Sequence, residues 1–291
     1  MKLTTGLMIS LLGLFLLTVI VGVRLSSARS SVSLPTAEGI GEATEITANP
    51  TAEPAPVLVE LFTSEGCSSC PPADQVLSRL DGERSIPGAN VIVLSQHVDY
   101  WNRLGWRDPY SAAEFSERQG SYAAAFGRDG VYTPQMVIDG RLEFVGSNIT
   151  KAREAIAQAA RLPKAKVQIE LAPKAEASQS GAIQLMVRVE DIQTISAGDT
   201  AEVWLAITEN DLNSSVASGE NAGRNLRHTA VVRQLKNIGS TSVTKGAASF
   251  TATPVINIPD DWRRDKLRAV VFVQERVSRH VLGAAMVGLA K

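Results

Sequence analysis

The sequence predicts an α/β domain, a mixed sheet flanked by helices, over residues 57–163, followed by an all-β, sandwich-like domain over 164–291. Three observations carry this. VLVELF (57–62) and VIVLSQ (91–96) are short apolar runs rich in β-branched residues, as strands buried on both faces are. Helix-compatible stretches alternate with such strands up to residue 162 in the order β-α-β-α-β-β-α, and a helix joining two strands of one sheet makes a crossover between parallel neighbours. Beyond Pro163, candidate strands near 166–171, 183–190, 202–208, 228–236, 247–257, 267–275 and 280–287 succeed one another with no convincing amphipathic helix between them, which is the spacing of a sandwich.

Taken in order, residues 72–80 suit the first helix. After the second strand comes an aromatic excursion, HVDYWNRLGWRDPY (97–110), and then Ser111-Ala112-Ala113-Glu114, a capping-box pattern that should open a helix ending near Gly127. PQMVIDGRLEFVG reads as two strands joined at Asp139-Gly140, a strong hairpin signal. Ser147 or Asn148 caps a last helix, with Ile149, Ile156 and Ala160 on its inner side.

The N-terminus has a different character. Residues 3–23 carry no charge, a run long enough to cross a bilayer, while Ser26-Ser27-Ala28 offers a small-x-small cleavage site. Residues 1–28 are therefore a signal peptide or a membrane anchor, and the chain beyond residue 28 is expected to be extracytoplasmic, periplasmic in a bacterium: secreted, or tethered to the inner membrane by 3–23. Residues 29–56, with four prolines and no aromatic residue, have the composition of a disordered linker. The balance of 29 Lys plus Arg against 30 Asp plus Glu gives no basic field with which to recruit nucleic acid.

The only two cysteines of the 291 residues lie in CSSC, Cys67 and Cys70. A disulfide between them closes almost no loop and would be a poor staple. Zinc wants about four ligands, and only His97, His228 and His280 could add imidazoles. A looser copper site from Cys67, Cys70 and His97 is chemically reasonable, because thiolate and imidazole suit that metal. As a reagent, the pair follows a buried strand and precedes a helix, whose N-terminal N–H groups and dipole favour thiolate over thiol. Cys67 would then attack and Cys70, one turn later, would resolve the mixed disulfide.

VLVELFTSEGCSSCPPAD, a second buried strand and then YTPQMVIDG together resemble the thioredoxin superfamily over residues 57–162, which would make the first domain thioredoxin-like. With HVDYWNRLGWRDPY and AGRNLRHTAVVRQL added, nearly all of 57–291 is similar to a family of secreted or membrane-attached bacterial thioredoxin-like proteins of unassigned function. The resemblance implies a cis peptide at Thr133-Pro134 beside the cysteines, with Thr133 offering its backbone to a bound extended peptide. It also makes Glu60 the superfamily's buried acid, with a raised pKa and a proton to exchange with Cys70; the plainer alternative is an edge-strand residue facing solvent. This chain departs from the superfamily pattern at Gly66, where an aromatic residue usually precedes the first cysteine, and at Pro71-Pro72 after the second.

The second strand ends on the rim where ligands of open α/β sheets gather, so His97 is a candidate to steady the thiolate and Asp99 to orient His97. Trp101, Trp106 and Tyr110 either line a peptide groove or plug the junction with the second domain. Arg224, Arg227, His228 and Arg233 form a basic cluster, either an anion site or a solvated, salt-bridged strand face. Asn148-Ile149-Thr150 matches a glycosylation pattern but reads as a helix cap. The function expected is thiol-disulfide exchange with cysteine-containing exported proteins or a redox partner protein, without a cofactor. The alternatives are the copper module and a binding module without catalysis.

Overall fold

The structure is a computed structural model and describes residues 53–172, 182–192, 195–241 and 248–290. The apolar run 3–23, the segment read as a signal or anchor and most of the expected linker lie outside these residues. Among the described residues no helix is long and apolar enough to cross a membrane.

The elements of the first hundred described residues keep the predicted order. Strand β1 (Ala55–Thr63) pairs in parallel with β2 (Ala89–His97), Val57 opposite Val91, and helix α1 (Pro71–Leu80) makes the crossover. Pro71 and Pro72 begin that helix, where their missing N–H groups would be unpaired anyway. Helix α2 (Ala113–Ala125) comes after the aromatic excursion, but the capping box does not form. Ser111 Oγ instead donates to the Asp108 carbonyl at 2.8 Å and accepts from Asn102 Nδ2 at 3.0 Å, leaving Ala112 as N-cap. Strands β3 (Gln135–Ile138) and β4 (Leu142–Val145) form the hairpin about Asp139-Gly140, both at positive φ. Asn148 caps α3 (Ile149–Ala159), its Oδ1 accepting from the Lys151 N–H at 3.0 Å.

The expected fold class, a thioredoxin-like α/β domain followed by a separate sandwich domain, is not what forms. After β5 (Lys166–Leu171) and β6 (Ala182–Ile192), the chain lays down β7 (Ala201–Glu209), a short hairpin of β8 (Leu212–Ser215) and β9 (Asn225–His228), and β10 (Val231–Thr241). It ends with β11 (Ala248–Ala252), β12 (Val255–Asn257), β13 (Leu267–Glu275) and β14 (Val281–Gly288). Four of these strands extend the first sheet into one of eight strands, ordered β14-β13-β7-β10-β2-β1-β3-β4. The seam is the free edge of β2: Val231 of β10 pairs in parallel with Ser95, whose N–H donates to the Ala230 carbonyl at 2.9 Å. A buried edge strand must satisfy its outward N–H and C=O groups, and here the C-terminal half supplies the partner. The described residues accordingly cluster as one compact unit.

Side-chain alternation divides the large sheet into two faces. Leu58, Ile92, Leu94, Ala206, Val270 and Phe272, drawn from both halves, pack with Phe115 of α2 on one face. On the other, Val57, Val59, Leu61, Val91 and Val93 meet α1 and α3. Over the C-terminal half of that face, Val203, Leu205, Ala269 and Val271 meet Leu185, Val187 and Val189 of a smaller sheet built on β6, with β5 on one side and β11 and β12 on the other. Sandwich-like packing therefore does occur, but one of its two layers is shared with the α/β half.

Candidate functional site

β1 ends at Thr63, and the chain turns through residues 64–69 into α1. The Cys67 N–H donates to the Ser64 carbonyl at 3.2 Å and the Cys70 N–H to the Cys67 carbonyl at 3.1 Å. Cys70 is the N-cap of α1, its carbonyl accepting from the N–H groups of Ala73 and Asp74 at 2.8 and 3.1 Å. Cys67 and Cys70 are joined as a disulfide, with Cα atoms 5.4 Å apart. Both are fully buried, whereas Ser68 and Ser69 between them are exposed.

Thr133-Pro134 is cis, as the sequence implied. Phe62 pairs with Gln135, which sets Pro134 beside the end of β1 where the cysteine loop begins. Trp101 spans the two loops. Its Nε1 donates to Thr133 Oγ1 at 2.8 Å, and a Cβ at Gly66 would stand only 3.2 Å from Trp101 Cβ. The missing aromatic before Cys67 thus has a physical counterpart: Trp101, arriving from the excursion, crowds the space that a side chain at position 66 would enter.

Behind the disulfide lies a buried polar cluster. Alternation puts Thr63 and His97, register partners on β1 and β2, on the face that carries α1. Thr63 Oγ1 donates to Asp74 Oδ1 at 2.9 Å. His97 Nδ1 and Asp108 Oδ2 are 2.7 Å apart, both fully buried side chains, and Asp108 Oδ2 also accepts the Glu65 N–H at 2.8 Å. Glu65 accepts from Trp106 Nε1 at 2.8 Å and lies 2.9 Å from His228 Nε2. The His97 and His228 rings meet edge to face at 4.8 Å, and neither His97 Nε2 nor His228 Nδ1 has a hydrogen-bond partner among the described residues. Burial pushes the Asp74 carboxyl up, offset in part by His228, His97 and the Thr63 hydroxyl. Burial disfavours a charged His97, yet Asp108 beside it, with Asp74 and Glu65 beyond, raises it above the ordinary histidine value.

Two expected roles are corrected. Glu60 is buried as predicted, but its carboxyl is held below the usual range, not raised. Burial alone would push it up, and the charge and hydrogen bonds of Arg118, with those of Tyr122 and Gln96, outweigh it. Arg118 Nε and Nη2 reach its oxygens at 2.7 and 3.0 Å, and Gln96 Nε2 at 2.6 Å. Glu60 lies on the α2 face, away from Asp74, and stays an anion, so it is not a proton donor to the cysteines. Asp99 does not orient His97 either. Its carboxylate accepts from Ser116 Oγ at 2.5 Å, and Asp108 takes the histidine.

The aromatic residues of the excursion go to different places. Trp101 faces the cysteine and cis-proline loops. Trp106 and Tyr110 plug the contact with the C-terminal half: Trp106 lies against Gly219, and the Tyr110 ring meets His228 at 5.6 Å. The basic cluster disperses. Arg233 pairs with Glu209 and lies over the rings of Tyr110 and Trp262, His228 is buried, and Arg224 and Arg227 are exposed.

Sequence reasoning missed Glu65, Asp74, Asp108, Asn221 and the burial of His228. Asp74 and Glu65 flank the cysteines within TSEGCSSCPPAD, and a carboxylate four residues beyond Cys70 on a helix was a usable signal. Asn221 and His228 come from 150 residues away and gave none. Asn221 Nδ2 donates to the carbonyls of Glu65 and Cys67 at 2.8 and 2.9 Å.

The His97–Asp108 pair makes stability depend on pH. His97 titrates higher folded than its unfolded value of about 6.5, so its contribution is complete below about pH 6.5 and is lost as pH rises through the raised value. Asp108 is held low by His97 against the opposing effect of burial, so its share is present above about pH 3.9 and is lost as pH falls through the lowered value. Urea unfolding of wild type and His97→Gln should show the largest gap between about pH 4 and 6.5, narrowing towards pH 9. A gap that widens with pH would contradict this assignment.

Among the described residues no three His, Cys, Asp or Glu side chains are grouped as a metal ion would require, and the copper set of Cys67, Cys70 and His97 is not assembled while the sulfurs bond to each other.

The architecture recurs in solved structures. Protein AGR_C_4864 from Agrobacterium tumefaciens is 26% identical, with a TM-score of 0.60, over 82% of this chain and 97% of its own. HBP35 of Porphyromonas gingivalis, 15% identical with a TM-score of 0.58 over 82% of this chain and 76% of its own, shares the fold alone. No curated protein matches the chain. The family model described as "Protein of unknown function (DUF1223)" matches residues 58–274, three quarters of the sequence with the cysteine loop, the excursion and the β8–β9 hairpin inside it, and the chain belongs to that family.

Proposed function

We propose that this chain carries out thiol-disulfide exchange on proteins through Cys67 and Cys70. The observation that carries the proposal is the disulfide itself, formed in the bend between β1 and the N-terminus of α1, after the strand end whose Phe62 pairs with Gln135, the residue following cis-Pro134. That helix end favours thiolate once the bond is reduced. In the reducing direction the Cys67 thiolate attacks a substrate disulfide and one substrate sulfur leaves as thiolate. Cys70 then attacks Cys67 Sγ, releasing the second substrate thiolate and restoring the Cys67–Cys70 bond; two electrons pass to the substrate. Asp74, one turn along α1 from Cys70 and raised by burial, takes over the acid role that Glu60 does not fill.

Kinship with the thioredoxin superfamily is the finer proposal and rests on the CSSC loop and cis-Pro134, not on the eight-stranded sheet. The proposed substrates are exported proteins of an oxidising compartment, in keeping with a disulfide in the native chain and with the apolar run 3–23. Cys67→Ser should abolish the turnover of purified protein reducing insulin; undiminished turnover rejects the proposal. Complete burial of both sulfurs favours a second reading, a binding module with a silent disulfide, for which wild type itself would show no exchange.

A further inference from the structure

The main chain of the cysteine loop is held by a segment distant in sequence. Residues 216–224, between β8 and β9, run as a strap over the cysteine loop. Ser218 Oγ donates to the Gly105 carbonyl at 2.5 Å, and Gly219, at φ +77°, carries the backbone past Trp106, whose Cβ would lie 3.1 Å from any side chain there. Glu220 Oε2 then accepts the Ser68 N–H at 2.9 Å, while Asn221, fully buried, bridges the Glu65 and Cys67 carbonyls. The strap closes on itself through Val216 N–H to Arg224 O at 2.9 Å and Gly223 N–H to Val216 O at 2.8 Å. Asn221 Oδ1 is buried without a hydrogen-bond partner among the described residues.

What the strap occupies is main chain: one N–H and two C=O groups around the attacking sulfur. A small thiol can replace none of them. An extended polypeptide, with a donor and an acceptor on nearly every residue, can replace all three. Between buried Val216 and the packing of Gly219 on Trp106, the strap meets the cysteine loop through a handful of polar contacts, each worth only about a kcal/mol net, which a partner that restores them can displace.

We propose that residues 216–224 hold the place of an extended polypeptide partner, so that Cys67–Cys70 exchanges with protein dithiols able to displace the strap and is shielded from small thiols. The proposal rests on the exchange reading and adds the segment that selects polypeptide over small-thiol substrates. A partner thiolate attacks Cys67 Sγ, the Cys67–Cys70 bond breaks and Cys70 leaves as thiolate. The partner's second thiolate then attacks the mixed disulfide and frees Cys67. The partner ends as a disulfide, the chain gains two electrons, and the partner's two thiol protons pass to the cysteines or to solvent.

The test is the rate at which the oxidised chain is reduced by dithiothreitol and, separately, by reduced, denatured ribonuclease A. Asn221→Ala should speed reduction by dithiothreitol ~10-fold, the factor one to two lost hydrogen bonds supply, and Glu220→Ala by roughly 3-fold, with a smaller change for ribonuclease. The ratio of polypeptide to dithiothreitol rate therefore falls in both. If Asn221→Ala fails to fold, Glu220→Ala, a side chain at the surface, decides alone. Unchanged ratios, or a wild-type chain reduced by dithiothreitol as fast as an oxidised CSSC peptide, overturn the proposal. Reaction with dithiothreitol needs only a disulfide, so this result remains readable even where insulin turnover is absent and the exchange reading has failed.

Discussion

Replacing Arg118 by Met is expected to lower the free energy of unfolding by about 3–5 kcal/mol, the cost of leaving a buried carboxylate without its counter-charge. Arg118 and Glu60 are both almost completely shielded from solvent, and the guanidinium holds both Glu60 oxygens. It also donates to Gln274 Oε1 at 3.0 Å and to Tyr122 Oη at 3.2 Å, and lies over the rings of Tyr122, Trp204 and Phe272. Those residues come from α2, β1, β7 and β13, so one side chain ties the N-terminal strands to the C-terminal strands across the shared sheet. Removing both charges, in Glu60→Leu with Arg118→Met, should recover part of the loss, because the unpaired ion is gone although Gln96 Nε2 and the Tyr122 hydroxyl lose their acceptor. Urea denaturation of the three proteins measures it; a single-mutant loss under about 1 kcal/mol would show that the pair does not join the halves.

Glu65→Leu is the second large expected effect, a destabilisation of about 2–6 kcal/mol at nearly constant volume. Glu65 is fully buried, and its two oxygens serve Trp106 Nε1 and His228 Nε2. Losing them strands two buried polar groups, at about 1–3 kcal/mol each. Glu65→Gln keeps one acceptor oxygen but turns an amide donor towards the other partner, so it should fall between wild type and Leu. Thermal unfolding followed by tryptophan fluorescence reads both stability and the surroundings of Trp106. Equal stability of all three proteins would mean that Glu65 is not the link between the excursion, β9 and the cysteine loop.

Both effects concern contacts far apart in sequence, which is where legibility in the sequence changes. Strand β1 was readable from VLVELF, the turn from Asp139-Gly140, the cap from Asn148, and the cis peptide from Thr133-Pro134 through a resemblance. Each of these depends on neighbours within a few residues, or on a motif that is itself local. Glu60 shows the limit. An acid within an apolar strand told of burial correctly, but the direction of its titration depends on Arg118, 58 positions later. Asp99 lost its role to Asp108 for the same reason: both lie in the excursion, and only the path of that loop decides which carboxylate reaches His97.

The amino-acid sequence by itself determined the alternation of strands and helices, the placing of a dithiol pair at a helix start and the proline turn opposite, because these arise from local periodicity, capping and backbone restriction. Only the tertiary structure decided that β10 completes β2, that Arg118 neutralises Glu60 and that Asn221 holds the Cys67 carbonyl. Strand partnership and ion pairing are settled by competition among all the buried edges and charges of the folded chain, a sum over distant residues that no stretch of sequence contains.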